Sequence, residues 1–119
     1  MITFDVGQGD AAIIKFPDRK TMLIDGGIQQ TYFDEKKQRQ ISYDVGERII
    51  EPYLLASGIR ELDLVVLSHP DLDHGGGLAY VMQNFKVKQL IGIPDTDLDS
   101  PTHQRLRNIA ISRNIPYIF

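Results

Sequence analysis

Between Ser68 and Leu78 the chain reads "SHPDLDHGGGL". His69, Asp71, Asp73 and His74 fall within six consecutive positions, directly after an apolar run and directly before three glycines. Imidazole nitrogens and carboxylate oxygens hold divalent ions, and four such donors on one turn can converge on one or two of them. His69 and Asp71 are two apart, and Pro70 restricts His69 to extended backbone, so their side chains leave on the same face. Asp73 and His74 follow within reach. Gly75, Gly76 and Gly77 are expected to let the backbone turn sharply and pass close to an ion or substrate. Each piece also has an ordinary structural use: "HPD" is a good β-turn, Asp73 could cap the next helix, and histidines are often surface residues. Two aspartates packed beside two histidines would repel each other without a cation, so the set is read as metal-ligating.

Positioning that loop requires a strand that ends at it. Leu62 to Leu67 is apolar except for Asp63, as expected of a strand covered on both faces. Sites in open α/β sheets lie at the carboxyl ends of strands, which is where this cluster falls. Upstream, Ile2 to Val6, Ala11 to Phe16 and Thr21 to Ile24 are short β-prone runs separated by "GQGD" and "PDRK", a meander of three strands. Gln29 to Ser42 is polar and patternless, and reads as an exposed loop whose Lys36, Lys37 and Arg39 are diluted by Asp34 and Glu35. Such a run more often solvates a face than binds phosphate. Asp44 to Ser57 has helical spacing, with Gly58 as its stop and Pro52 either starting a shorter helix or kinking a longer one. Downstream the pattern predicts a helix over Leu78 to Phe85, a strand over Val87 to Ile91, a helix over Pro101 to Arg113 and a strand over Ile115 to Phe119. The fold class is α/β, a β-meander followed by βαβαβ.

Composition limits the function classes. A chain of 119 residues with 42% apolar content buries one core. Its net charge of −3 provides no general attraction for a phosphate backbone, so any contact with nucleic acid has to be local. There is no cysteine, which excludes disulfides and thiolate metal sites. No window approaches the roughly 20 apolar residues of a membrane span, and the start "MITFDVGQGD" is unlike a signal peptide. The expectation is a soluble chain, cytoplasmic if it stands alone.

Asp25 in "LIDGG" ends a strand, where an aspartate can open a Gly-Gly turn. "GQGD" could offer backbone N–H groups to a phosphate, with Asp10 beside the metals, although a hairpin turn is the simpler reading. His103, at a predicted helix start, is read as a capping or surface residue rather than a ligand. Asp95, Asp97 and Asp99 alternate like an ion loop, but they lack the glycine and terminal glutamate of an EF-hand and are read as facing solvent.

Taken together, "FDVGQGDAAIIKFPDRKTMLIDGG" and "LDLVVLSHPDLDHGGGL", in that order and spacing, resemble the metallo-β-lactamase fold and in particular the nuclease-like domain of the ComEC competence family. The general motif of that superfamily is His-x-His-x-Asp-His, and here Asp71 stands in place of the second histidine. The resemblance implies an αββα sandwich holding two divalent ions, with His69 and Asp71 serving the first and Asp73 and His74 the second. It places Asp25 beside the metal loop, where a carboxylate can orient a histidine; Asp10 is the further candidate near the ions, and Asp73 is expected to be the residue on which catalysis depends. Further ligands in such proteins come from the second half of the sandwich, so the 119 residues resemble its N-terminal half. That half would leave the face of Leu64 and Val66, with the strands around Val87 and Ile115, to pair with a missing C-terminal half or to self-associate. It could equally be a soluble domain of a membrane-bound competence protein.

The function expected is a metal-dependent hydrolase, a phosphodiesterase acting on DNA. The alternatives are hydrolysis of esters, lactones or thioesters, or a catalytically inert metal-binding half-domain. Replacing imidazole by carboxylate at position 71 hardens the site, so Mn²⁺ and Mg²⁺ should compete with Zn²⁺ better than at an all-histidine site.

Overall fold

The structure is a computed structural model that describes residues 2–5, 10–27, 29–68, 72–92 and 100–118, with the backbone alone for 2–5, 10, 29–32, 41–42 and 72–75. Three β-prone runs form the expected meander: β1 (Ile2–Asp5), β2 (Asp10–Lys15) and β3 (Thr21–Ile24), each antiparallel to the one before. From β3 onward the sheet is parallel. β7 (Leu64–Leu67) pairs with β3, β9 (Leu90–Gly92) with β7, and β10 (Tyr117–Ile118) with β9. The helices α2 (Leu72–Asn84) and α3 (Pro101–Ser112) supply two of the three crossovers between these parallel strands, β7 to β9 and β9 to β10, because parallel neighbours cannot be joined by a tight turn. The mixed sheet of order β1-β2-β3-β7-β9-β10 with helices over it is the α/β class expected.

One face of this sheet is the core. Ala11, Ile13, Leu23, Val65, Leu67 and Leu90 alternate along their strands and are at most 1% exposed, packed with Leu54, Leu78, Met82 and Leu106 from the helices. The intervening residues Ala12, Ile14, Met22, Ile24, Leu64, Val66 and Ile91 are only half-buried. The strand at 64–67 is therefore covered fully on one face, not on both. Val87 and Ile115, expected on the open face, are instead buried in the core.

Three further corrections and one choice between alternatives rest on particular contacts. The segment from 29 onward is not a loop but a hairpin of β4 (Gln29–Asp34) and β5 (Arg39–Asp44), in register from Gln29↔Asp44 to Asp34↔Arg39. Aromatic and β-branched residues, Thr31, Tyr32 and Phe33 on one side and Ile41 and Tyr43 on the other, flank a short polar turn and favour strand. In that turn Asp34 Oδ1 accepts the N–H groups of Lys36 at 2.9 Å and Lys37 at 3.2 Å. Second, the run at 62–67 breaks at Asp63 into β6 (Glu61–Leu62) and β7, and the strand expected over Val87 to Ile91 divides into β8 (Lys86–Val87) and β9. β6 and β8 form a separate parallel pair. Asp63 turns its carboxylate to the N–H of Thr21 at 2.9 Å, and with Glu61 it holds Lys88, at 3.3 and 3.0 Å. The Thr21 N–H and Lys88 hold the Asp63 carboxyl below its ordinary range. The tie is present above that range and is lost as the pH falls through it.

Third, of the two readings of Pro52 the shorter helix holds: Pro52 lies in the first turn of α1 (Glu51–Ala56), which follows a π-helical turn (Gly46–Ile50). Glu51 N–H bonds to Gly46 O, five residues back, and this wider turn lies just where the ring of Pro52 would meet the carbonyl four residues before it. Gly58, at φ 72°, ends the helix as expected, with its N–H bonded to Leu55 O at 3.1 Å. Fourth, α2 begins at Leu72 rather than Leu78, so Gly75, Gly76 and Gly77 lie inside a helix and make no turn. Gly77 is there for a close approach. A Cβ on it would fall on the carbonyl oxygen of Gly26 and within 2.9 Å of Gly46 N.

Ala exceeds Gly in helix propensity by about 1 kcal/mol. Gly77→Ala should nevertheless destabilise by about 2 kcal/mol or more, because the atoms it meets are backbone and cannot rotate away. Gly58→Ala has open space and only a left-handed backbone to strain, which costs about 1 kcal/mol. Urea denaturation of both variants checks this, and a neutral or stabilising Gly77→Ala would show that α2 is not seated by this contact.

Candidate metal centre

β3 and β7 are parallel neighbours in register, Ile24 opposite Val66, so both carboxyl ends open on one edge of the sheet. Asp25 directly follows β3 and Ser68 directly follows β7. Asp25 is 4% exposed and takes a left-handed backbone at φ 59°, which aspartate tolerates better than most residues. Its N–H continues the ladder to Val66 O at 2.8 Å. Its carboxylate spans to the next strand: Oδ1 accepts the N–H of Ser68 at 2.7 Å and Oδ2 accepts the Ser68 hydroxyl. A buried carboxylate with both oxygens so engaged fixes the residue immediately before His69.

The other side of the motif is fixed by glycines. Gly77 donates its N–H to Gly27 O at 3.0 Å, and a Cβ on Gly46 would lie 3.0 Å from Asp44 Oδ1 as well as on Gly77 O. Asp73 and His74 belong to the first turn of α2, one turn before this contact. Asp10 is the first residue of β2, opposite Asp5 and two residues before the Ala12↔Ile24 pair, so its backbone lies at the same edge as Asp25. The fold thus brings the backbone of Asp10, Asp25, Ser68, Asp73 and His74 to one end of the sheet.

His69 and Asp71, and the side chains of Asp10, Asp73 and His74, lie outside the described residues, as do Asp95, Asp97 and Asp99 and the glycines of "GQGD". Among the described residues no group of three or more histidine, aspartate or glutamate side chains gathers in a way that could hold an ion. The residue types of the motif, two imidazoles and two carboxylates, suit divalent ions, and the described residues on its two sides are held by Asp25 and by the backbone contact of Gly77.

His103 is placed differently from the surface reading. It is 2% exposed in the first turn of α3, where the N-cap Ser100 accepts its backbone N–H at 3.2 Å and lies 3.1 Å from its Nδ1. Its role at the helix start is as expected, but it is buried. Ser68 is the residue that sequence reasoning missed. Its partner is 43 positions away, so no local spacing announces it.

Below the edge, Asp44 is buried at the end of β5 and its carboxyl is pushed up by desolvation, against the pull of the Gly46 and Glu47 N–H groups. Tyr80 on α2 donates to Glu51 at 3.1 Å, and desolvation followed by that acid raises the phenol. Both groups brace the turn that carries Gly46.

Residues 4–115 match the family model described as the metallo-beta-lactamase superfamily, and the chain belongs to that superfamily. Its members are usually hydrolytic and use divalent metals, typically zinc. The chain is also 34% identical over 108 residues to "ComE operon protein 3" of Bacillus subtilis (strain 168). That match covers 89% of this chain and spans 14% of the length of that relative.

The Asp25 clamp gives a graded expectation. Asp25→Ala removes both bonds and leaves the Ser68 N–H without them, which should cost roughly 1.5–3 kcal/mol and weaken metal binding roughly 10- to 100-fold. Ser68→Ala keeps the backbone bond and should lose about 1 kcal/mol with little change in affinity. Denaturation and chelator competition on both variants read the difference, and equal effects would mean that the hydroxyl alone carries the clamp.

Proposed function

We propose that this chain carries the metal-binding loop of a phosphodiesterase that acts on DNA. The observation that supports it best is the meeting of β3 and β7 at one edge, where Asp25 fixes Ser68 just before the four donor residues. In this reading His69 and Asp71 hold one ion, and Asp73 and His74 the other. Bound there, divalent ions supply Lewis acidity: they make water nucleophilic at neutral pH and neutralise charge on the phosphate. The chain's own residues do the positioning. Asp25 prevents the strand end from fraying, and the Gly26–Gly77 contact holds the start of α2 at a fixed distance from it. Pre-set donors avoid the ordering entropy that a mobile loop would lose on each binding event.

No helix of the described residues is long and apolar enough to cross a membrane. The acidic chain has little general attraction for polyanions, so the ions at the loop supply the charge that the surface lacks. The similarity to a protein named for the ComE operon supports a competence-related setting, and DNA as the substrate is part of this proposal. With a carboxylate at position 71, Mn²⁺ should support activity.

Asp73→Asn tests the assignment. It keeps the shape and removes a charge from the second site, so bound ions should fall from two to one. Turnover of a DNA strand with Mn²⁺ should fall by more than the roughly 100-fold that disturbing a ligand's support costs. His103→Ala should lower stability, because the ring is buried, and leave ion stoichiometry unchanged. If His103→Ala removes an ion and Asp73→Asn does not, or if Zn²⁺ alone supports hydrolysis, the assignment is wrong.

A further inference from the structure

The β4–β5 hairpin is unnecessary for the main sheet, yet it is rooted where the donors are. β4 follows Gly27, two residues after Asp25, and β5 returns to Val45, whose side chain lies under Gly27; a Cβ on Gly27 would be 2.7 Å from Val45 Cγ1. The next residue, Gly46, is the one that touches Gly77. The hairpin and the metal motif therefore leave the same edge of the sheet, from the ends of neighbouring parallel strands. Six paired residues on each strand give a ribbon roughly 17–20 Å long.

Its far end is unlike the rest of the chain. Lys36, Lys37 and Arg39 are exposed within four positions, and none of them forms an ion pair among the described residues. Of the two acids beside them, Asp34 has its carboxylate engaged by the N–H groups of Lys36 and Lys37. Phe33, one residue below the turn, is 60% exposed. Lys36, Lys37 and Arg39, without an ion pair among the described residues, outnumber the neighbouring Asp34 and Glu35 and stand beside an exposed ring at the end of a ribbon on a chain of net charge −3, a combination suited to a local polyanion contact with a stacking surface.

We propose that this hairpin grips single-stranded nucleic acid, with Lys36, Lys37 and Arg39 on phosphates and Phe33 stacked on an unpaired base. The inference rests on the phosphodiesterase reading for its purpose, since it names how a long strand is held while a distant phosphate lies at the metal loop. At roughly 3.4 Å per stacked nucleotide, the ribbon spans several nucleotides. Short substrates should gain nothing from it.

The test uses the 119-residue chain with EDTA present, so that strand binding is read without ions. Fluorescence anisotropy with a labelled 20-nucleotide oligothymidylate is compared for the wild type, a Lys36→Gln/Lys37→Gln/Arg39→Gln variant and Phe33→Ala, each checked for an unchanged melting curve. The triple variant should bind at least tenfold more weakly at low salt. Its slope of log affinity against log salt should be shallower by about 2, from a contribution of roughly 0.7 per phosphate contact. Phe33→Ala should weaken binding about fivefold or more with the slope unchanged. An unchanged slope in the triple variant, a wild type that does not bind the strand at low salt, or variants that lose binding to anionic phosphatidylserine vesicles while keeping the strand, would each overturn the proposal. Hydrolysis of bis(p-nitrophenyl) phosphate with Mn²⁺ separates the two readings. It should be equal in wild type and triple variant, and its absence from both would refute the phosphodiesterase reading while the anisotropy still decides the hairpin.

Discussion

The contact on which the rest of this fold depends has no side chain in it. Gly77 rests on Gly26 and donates to Gly27, and Gly46 touches it from a third segment. Three glycines in a row within a helix give up about 3 kcal/mol of propensity against alanine. Closer seating of α2 offsets this, since Leu78, Val81 and Met82 are then wholly buried, each contributing roughly 1.5–3 kcal/mol. The helix could not sit at that depth with a methyl group at position 77. Depth here is also position, because the first turn of α2 carries Asp73 and His74.

Two constraints then act on one short stretch from opposite sides. Upstream, a buried carboxylate holds Ser68 by its backbone and its hydroxyl. Downstream, backbone contact holds α2. Only three residues, 69–71, lie between the strand-end serine and the helix. In the proposed reading, donors held between these two constraints would lose little freedom on taking up ions, while membership of the metallo-beta-lactamase superfamily rests on the match of residues 4–115. The hairpin shares the same root, so what stabilises the loop also fixes where the basic tip begins.

Much of this was legible in the residues. The meander, the strand leading into the motif and the helix over Pro101 to Arg113 follow from period and punctuation, and Gly58 stops its helix as its type predicts. What escaped depends on distant partners. Gly75 to Gly77 read locally as a turn, because a helix interior is the last place that propensity puts them; the contacts with Gly26 and Gly46 explain Gly77. The polar segment from Gln29 to Ser42 hid a hairpin because its aromatic residues are few and its turn is charged. His103 reads as a surface residue until α3 is packed on α2 and its ring is enclosed beside Ser100. Asp25 was singled out, but its carboxylate accepts from a serine 43 residues away, which no spacing rule connects.

The central claim is that ions bind between the end of β7 and the start of α2. Paramagnetic broadening of backbone amide signals by substoichiometric Mn²⁺ tests it most directly. The account predicts that the signals of Ser68, Asp25 and residues 72–77 broaden first, while those of Ser100 to Leu106 and of the hairpin turn at 35–38 persist. Broadening that begins instead around Asp95 to Asp99 or around His103 would contradict it.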